Sequence, residues 1–231
     1  MLDVRNLSAG YGKVPVLQDV TLNVAKGECV ALLGPNNAGK TTLLRTISGL
    51  VRATAGRVTV RKEDITNLAS RAIVARGVIQ IPEGRHVFKD MSVEDNLAVG
   101  AARLSSDRRR KTLDEVYGRF PLLSELRTRR AGDLSGGQQQ TVAIARAVVA
   151  DPAVLLIDEP TLGLSPVAID DIFTILQSLQ QGGATILLSE QNAELSLELC
   201  SRGYILSKGS IVLEGDAGVL RNAALQDVYM A

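Results

Sequence analysis

Apolar and polar positions along this chain of 231 residues follow two rhythms. Over 2–8 and 16–24 apolar residues return at every second place or close to it (Leu2, Val4; Val20, Leu22, Val24). That spacing predicts two strands, split by the turn around Gly10-Tyr11-Gly12. Short apolar runs at Glu28 to Leu33, Gly56 to Val60, Gly77 to Ile81, 153–158, 184–189, 203–207 and 211–214 predict further strands. Helices are predicted at Thr41 to Leu50 (closing near Gly49), Asn67 to Arg76, 166–180 and 191–200. From residue 92 to about 130 the pattern turns wholly helical, with Ser92, Ser106 and Ser124 as expected N-caps. Gln138 to Ala150 is apolar on nearly every face beyond Gln140, so it should be a buried helix. Strands alternating with helices place the chain in the α/β class, a mostly parallel sheet with helices around it. The β/α core should occupy about 1–83 and 151–231, with a helical subdomain over about 84–150.

Composition narrows this picture. Apolar residues make up 45%, and the 22% charged residues nearly cancel, to a net +1. Such a balance gives no general pull toward nucleic acid or anionic lipid. Aromatics are 3% with no Trp, which argues against an extended base-stacking platform. Cys29 and Cys200 sit in apolar surroundings and read as two buried structural thiols of a reducing compartment. No apolar run approaches the ~18 residues of a membrane span, and Met1-Leu2-Asp3-Val4-Arg5 lacks a signal-peptide layout. The expectation is a cytoplasmic, soluble chain that reaches a membrane only through a partner.

Three motifs in fixed order carry the chemistry. Gly34-Pro35-Asn36-Asn37-Ala38-Gly39-Lys40-Thr41-Thr42 fits G-x-x-x-x-G-K-[ST] between an expected strand and an expected helix. Successive N–H groups from Asn36 to Thr41 can form an anion nest, and the helix that starts there adds its dipole. Lys40 supplies a charge for the β- and γ-phosphates and Thr41 a hydroxyl for Mg²⁺. Val154-Leu155-Leu156-Ile157-Asp158-Glu159 is an apolar strand ending in two carboxylates. Asp158 is the expected magnesium contact, since a carboxylate at a buried tip is costly without a cation. Glu159 is expected to orient and deprotonate the attacking water; both carboxylates could instead only cap a helix. Leu134-Ser135-Gly136-Gly137-Gln138 is either an N-cap or a second anion site. One γ-phosphate does not need two such sites in one chain, but two chains placed head to tail do.

With that ordered set, the chain resembles the ATP-binding cassette (ABC) ATPases over essentially its whole length. The resemblance implies a P-loop NTPase core with a mainly parallel sheet, an N-terminal antiparallel β part and a helical subdomain. It implies ATP and Mg²⁺ as ligands, with Ser135, Gly136, Gly137 and Gln138 acting on the nucleotide of a second cassette. Tyr11 matches the aromatic that stacks on adenine, and Gln80 the glutamine that touches magnesium and senses a membrane partner. Leu162-Gly163-Leu164-Ser165-Pro166 stands at the dimer-facing loop. Ile81-Pro82-Glu83-Gly84-Arg85-His86-Val87-Phe88 and Met91-Ser92-Val93-Glu94-Asp95-Asn96-Leu97 are similar to ATPases of bacterial branched-chain amino acid importers. That subgroup implies a second ATPase subunit, two permeases and, indirectly, a periplasmic solute-binding protein; urea and amide importers look alike.

Three positions depart from the family pattern. Asn37 replaces a usual glycine, tolerable because Asn accepts left-handed backbone better than other side chains. Gln139-Gln140 stands where the subgroup more often begins with an acidic residue. Gln191 replaces the histidine that faces the γ-phosphate; its amide donates a hydrogen bond but takes no proton. The rival readings are an ABC ATPase of repair or translation, whose usual coiled-coil insertions, paired cassettes or basic arms do not appear in this sequence, and a binding-only regulatory cassette, raised by Asn37 and Gln191 together. The basic runs Arg108 to Lys111 and Arg127 to Arg130 read as solvated faces, and His86 as a surface residue. Val87, Phe88 and Met91 are either anchors for a membrane subunit or part of the helical insert's own core.

Overall fold

A computed structural model describes residues 1–225 of the chain. Strands β1 (Leu2–Tyr11), β2 (Val14–Val24), β4 (Ala53–Val60) and β5 (Glu63–Asp64) form an antiparallel sheet in the order β2-β1-β4-β5. A six-stranded sheet contains β3 (Cys29–Leu33), β6 (Val78–Ile81), β7 (Val154–Asp158), β8 (Ile186–Glu190), β9 (Arg202–Ser207) and β10 (Ser210–Asp216). Its order is β10-β9-β3-β8-β7-β6, parallel from β9 to β7, with β10 antiparallel on β9.

The first two strands run past their expected limits, to Tyr11 and from Val14, and each carries a bulge. Leu2, Val4, Leu7 and Ala9 are buried on one strand and Leu17, Val20, Leu22 and Val24 on the other, so each skips a residue once. The skipped step falls at Asn6 and Asp19, which take φ of 49° and 53° and join through an Asn6 Nδ2–Asp19 Oδ1 hydrogen bond of 2.7 Å. By contrast β3, β7 and β8 are buried at every position, the condition of strands covered on both faces.

Helices α1 (Lys40–Ile47), α3 (Val93–Gly100), α6 (Gly136–Val149) and α7 (Pro166–Gln181) lie where expected, and α6 is buried along most of its length. Ser92 caps α3 by accepting the Asp95 N–H. Other boundaries need correction. α2 is only Ser70–Ala75, because Asn67 bonds both backbone groups of Ala53 and so extends a strand edge. Ser106 is the first residue of α4 (Ser106–Arg119) rather than its cap. Ser124 lies inside α5 (Pro121–Glu125), which opens at Pro121, where the missing N–H costs nothing. α8 (Ala193–Leu199) starts two residues late behind its cap Asn192, and α9 (Ala217–Leu225) was not foreseen.

The chain divides into two compact units: Met1–Gln80, Ala153–Glu159 and the described chain from Leu176 on; and Ile81–Pro152 with Pro160–Ile175. In the second unit α3 and α4 pack on α6, so closely that a Cβ on Gly100 would sit 2.2 Å from the Arg146 carbonyl oxygen. In the first, Cys29 and Cys200 are buried free thiols with sulfurs 2.9 Å apart. Among the described residues no helix is long and apolar enough to cross a membrane.

Candidate functional site

The parallel order of β3, β8 and β7 brings three chain ends to one edge of the sheet, the carboxyl ends where open α/β sheets carry their sites. At the end of β3 the chain turns through Gly34, where a Cβ would come within 2.2 Å of the Leu206 carbonyl oxygen. It then closes at Gly39, left-handed at φ 110°, which begins α1 without any side-chain cap. The first N–H groups of α1 are thereby left to an anion. Asn37 adopts φ 66°, the conformation for which an asparagine is the least costly replacement of glycine. Lys40, only 4% exposed, folds back over the loop. Its ammonium donates to Gly34 O at 2.8 Å and Pro35 O at 3.1 Å, and lies 3.0 Å from Glu159 Oε1.

Asp158 and Glu159 leave β7 in different ways. Asp158 is fully buried, and its Oδ1 accepts the Ser189 hydroxyl at 2.9 Å from the paired position on β8. Glu159 stands at φ 43°, held there by an N–H bond of 2.9 Å to Ser189 O. Left-handed backbone at a glutamate costs about 1–3 kcal/mol and collects at functional sites. Gln191 is the first residue past β8, exposed, with its N–H bonded to Glu190 Oε2 at 3.2 Å. Tyr11, 47% exposed at the end of β1, reaches α1. Partial burial raises its phenol pKa, and hydrogen bonds with Thr42 and Arg45 more than reverse this, leaving it below the ordinary value.

Gln80, on β6, accepts the Ser48 hydroxyl at 2.6 Å, while the other atom of its amide is buried with no hydrogen-bond partner. Exchanging the amide's O and N keeps the Ser48 bond and turns the orphan into a carbonyl oxygen, the donor a hard cation takes. Thr41, Gln80 and Asp158 are all oxygen donors. Among the described residues no three His, Cys, Asp or Glu converge as a metal cage. This donor set suits Mg²⁺, which is usually held by one or two protein groups plus substrate phosphates.

In the second unit Ser135 caps α6 in a reciprocal box: its Oγ accepts Gln138 N–H at 3.3 Å, and Gln138 Oε1 accepts Ser135 N–H at 3.0 Å. The hydroxyl proton remains available to a further acceptor. A Cβ on Gly137 would come 2.7 Å from the Ala168 Cβ, and one on Gly136 would lie 3.0 Å from the guanidinium carbon of Arg85. Arg85 also donates to Gly163 O at 3.1 Å. The contacts of Ser189, Ser48 and Arg85 escaped the sequence reading because each acts through a partner distant in the chain. Phe88 is 47% exposed rather than enclosed, with Val87 and Met91 half-buried.

The family profile described as ABC transporter matches residues 17–162. The chain belongs to the ABC transporter family. The cassette is 42% identical over 231 residues to the high-affinity branched-chain amino acid transport ATP-binding protein BraG of Pseudomonas aeruginosa, covering 100% of this chain and 99% of that one. It is 36% identical over 233 residues to the lipopolysaccharide export system ATP-binding protein LptB of Escherichia coli, covering 99% and 96%. Its fold matches the crystal structure of a nucleotide-free ATP-binding cassette from an ABC transporter, with TM-score 0.88 and 28% identity over 100% and 99% of the two chains. The cassette is thus the ATP-binding, ATP-hydrolysing subunit of a transporter.

Proposed function

We propose that the cassette drives an importer of branched-chain amino acids or a closely related small polar solute. The full-length likeness to BraG carries this reading, and the segment from Ile81 to Leu97 supports it. In this reading the core formed by about 1–83 and 151–231 holds the nucleotide, with a helical subdomain over about 84–150. The N–H groups of residues 34–42 and Lys40 hold the triphosphate, and Tyr11 faces the adenine. Thr41, Gln80 and Asp158 would hold Mg²⁺, which when bound neutralises phosphate charge. Glu159 orients a water and takes its proton as the water's oxygen attacks the γ-phosphorus, giving ADP and phosphate. Gln191 donates its amide N–H₂ to the γ-phosphate. Ser135, Gly136, Gly137 and Gln138 serve the nucleotide of a second cassette, and Phe88 with its neighbours seats a permease. The assembly then lies on the cytoplasmic face of the membrane, with a periplasmic binding protein on the other side.

The likeness to LptB supports a second reading, an export ATPase. Reconstitution with its own permeases decides between them. Leucine, isoleucine or valine, presented with the binding protein, should raise ATPase several-fold and be carried into vesicles. Solute-independent ATPase with outward movement of a lipid would establish the export reading.

A further inference from the structure

The segment that carries Phe88 is anchored to the helix that carries the serine-glycine motif. Asn96, in α3, is fully buried, and both ends of its amide engage this segment. Its Oδ1 accepts the Phe88 N–H at 2.9 Å and an Arg146 N–H at 3.4 Å, and its Nδ2 donates to Phe88 O at 3.0 Å and Ser92 O at 2.9 Å. Arg146, in α6, donates to His86 O at 2.8 Å and lies over the Phe88 ring, 5.1 Å from its centre. A second tie joins the same segment to the start of α6, where the Arg85 guanidinium covers Gly136. Gly84, Arg85 and His86 all have positive φ, so the chain between Gln80 and Phe88 is a turn rather than a stiff rod. The stiff element is α6, buried along most of its length, with Arg146 about 16 Å along its axis from Ser135.

We infer that Asn96 and Arg146 are positioning residues that latch the Phe88 segment to α6, so that a load on Phe88 is delivered to Ser135-Gly136-Gly137. This rests on the proposed reading in which Phe88 meets a permease. The latch itself is a property of one unit of the chain and can be measured without that permease.

The test uses Arg146→Met, which removes both the hydrogen bonds and the stacked charge, and Arg146→Lys, which keeps charge without the planar fork. In the isolated full chain, Arg146→Met should speed hydrogen exchange of the Phe88 and Met91 amides at least about tenfold, with β3, β7 and β8 unchanged. In the assembled complex its kcat should fall at least about tenfold at unchanged KM for ATP, with Arg146→Lys in between. Asn96→Asp, which replaces the Nδ2 donor by a carboxylate oxygen facing the Phe88 and Ser92 carbonyls, should reproduce the exchange result. Unchanged exchange at Phe88, or faster exchange in every element with a lower melting point, would overturn the latch. So would wild-type coupled turnover in Arg146→Met. Phe88→Ala separates the two readings: normal assembly and turnover in that variant would refute the docking of Phe88, while the exchange data still decide the latch.

Discussion

Glu159 bears two costs at once, a left-handed backbone and a carboxylate only 9% exposed. Neither helps the fold, which is why the residue reads as chemistry rather than as a cap. Glu159→Gln should retain ATP binding and lose about 10²–10⁴-fold in turnover of the assembled complex; hydrolysis near the wild-type rate would remove it from the role. Gln191 is free of such strain, exposed at the end of β8 with only its backbone engaged. A donor aimed at developing charge contributes about 2.7–4 kcal/mol, part of which an amide supplies. Gln191→His should leave steady-state ATPase equal or higher, and a sharp fall would show the amide to be tuned for its place. At this scale the sequence was legible where spacing itself is the chemistry: Lys40, Asp158, Glu159 and the φ of Asn37. It was silent on what Ser189, Asn96 and Arg146 hold, because a side chain that engages a group elsewhere along the chain leaves no periodic trace.

Elements were legible to the extent that burial sets their rhythm. β3, β7 and β8 are buried at every position because both faces are covered, and α6 is buried along most of its length. Legibility failed at the ends, where polar side chains compete for backbone groups: Asn67 served a strand, and Pro121 rather than a serine opened α5. The bulges at Asn6 and Asp19 shift the alternation of two strands in mid-course and leave one face buried on either side of the step. Gly137 shows what an element asks of a single residue. Its missing Cβ lets α6 approach the start of α7 at Ala168. Gly137→Ala should destabilise the chain by about 1–3 kcal/mol through overpacking, and thermal melts of Gly137→Ala, Ala168→Gly and the double variant check this. The double should recover most of the loss; strict additivity would show that the two residues do not share that space.

For the molecule as a whole, each of the two units has ion pairs between residues far apart in the chain. The first ties strand ends with Glu28, whose carboxylate meets Arg202 Nε at 2.6 Å and the Ala25 N–H at 2.7 Å. Partial burial raises the Glu28 pKa, and Arg202 and the Ala25 N–H together hold it below the ordinary value. A depressed carboxyl contributes stability that is complete above its unfolded pKa of about 4.3 and is lost as pH falls through the folded value. Wild-type stability should therefore drop on the acid side of about 4.3, and Glu28→Gln should flatten that limb while lowering stability at neutral pH. Denaturant midpoints across the acid range measure both, and an unchanged acid limb in the variant would assign the loss to other carboxylates.

The Lys40–Glu159 contact makes the resting cradle a competition. A carboxylate of the same chain already sits on the ammonium that a phosphate must engage, so it behaves as a built-in ligand at a fixed local concentration. Incoming nucleotide binds only the fraction of molecules in which that contact is open, and its apparent affinity falls by the same fraction. On the role proposed for Glu159, one carboxylate would serve hydrolysis and also compete with weak anions for the Lys40 ammonium. Removing its charge should therefore tighten nucleotide binding while it halts turnover. Titration of Glu159→Gln with a non-hydrolysable ATP analogue shows whether the two effects travel together, and an affinity at or below wild type would mean that Glu159 guards nothing.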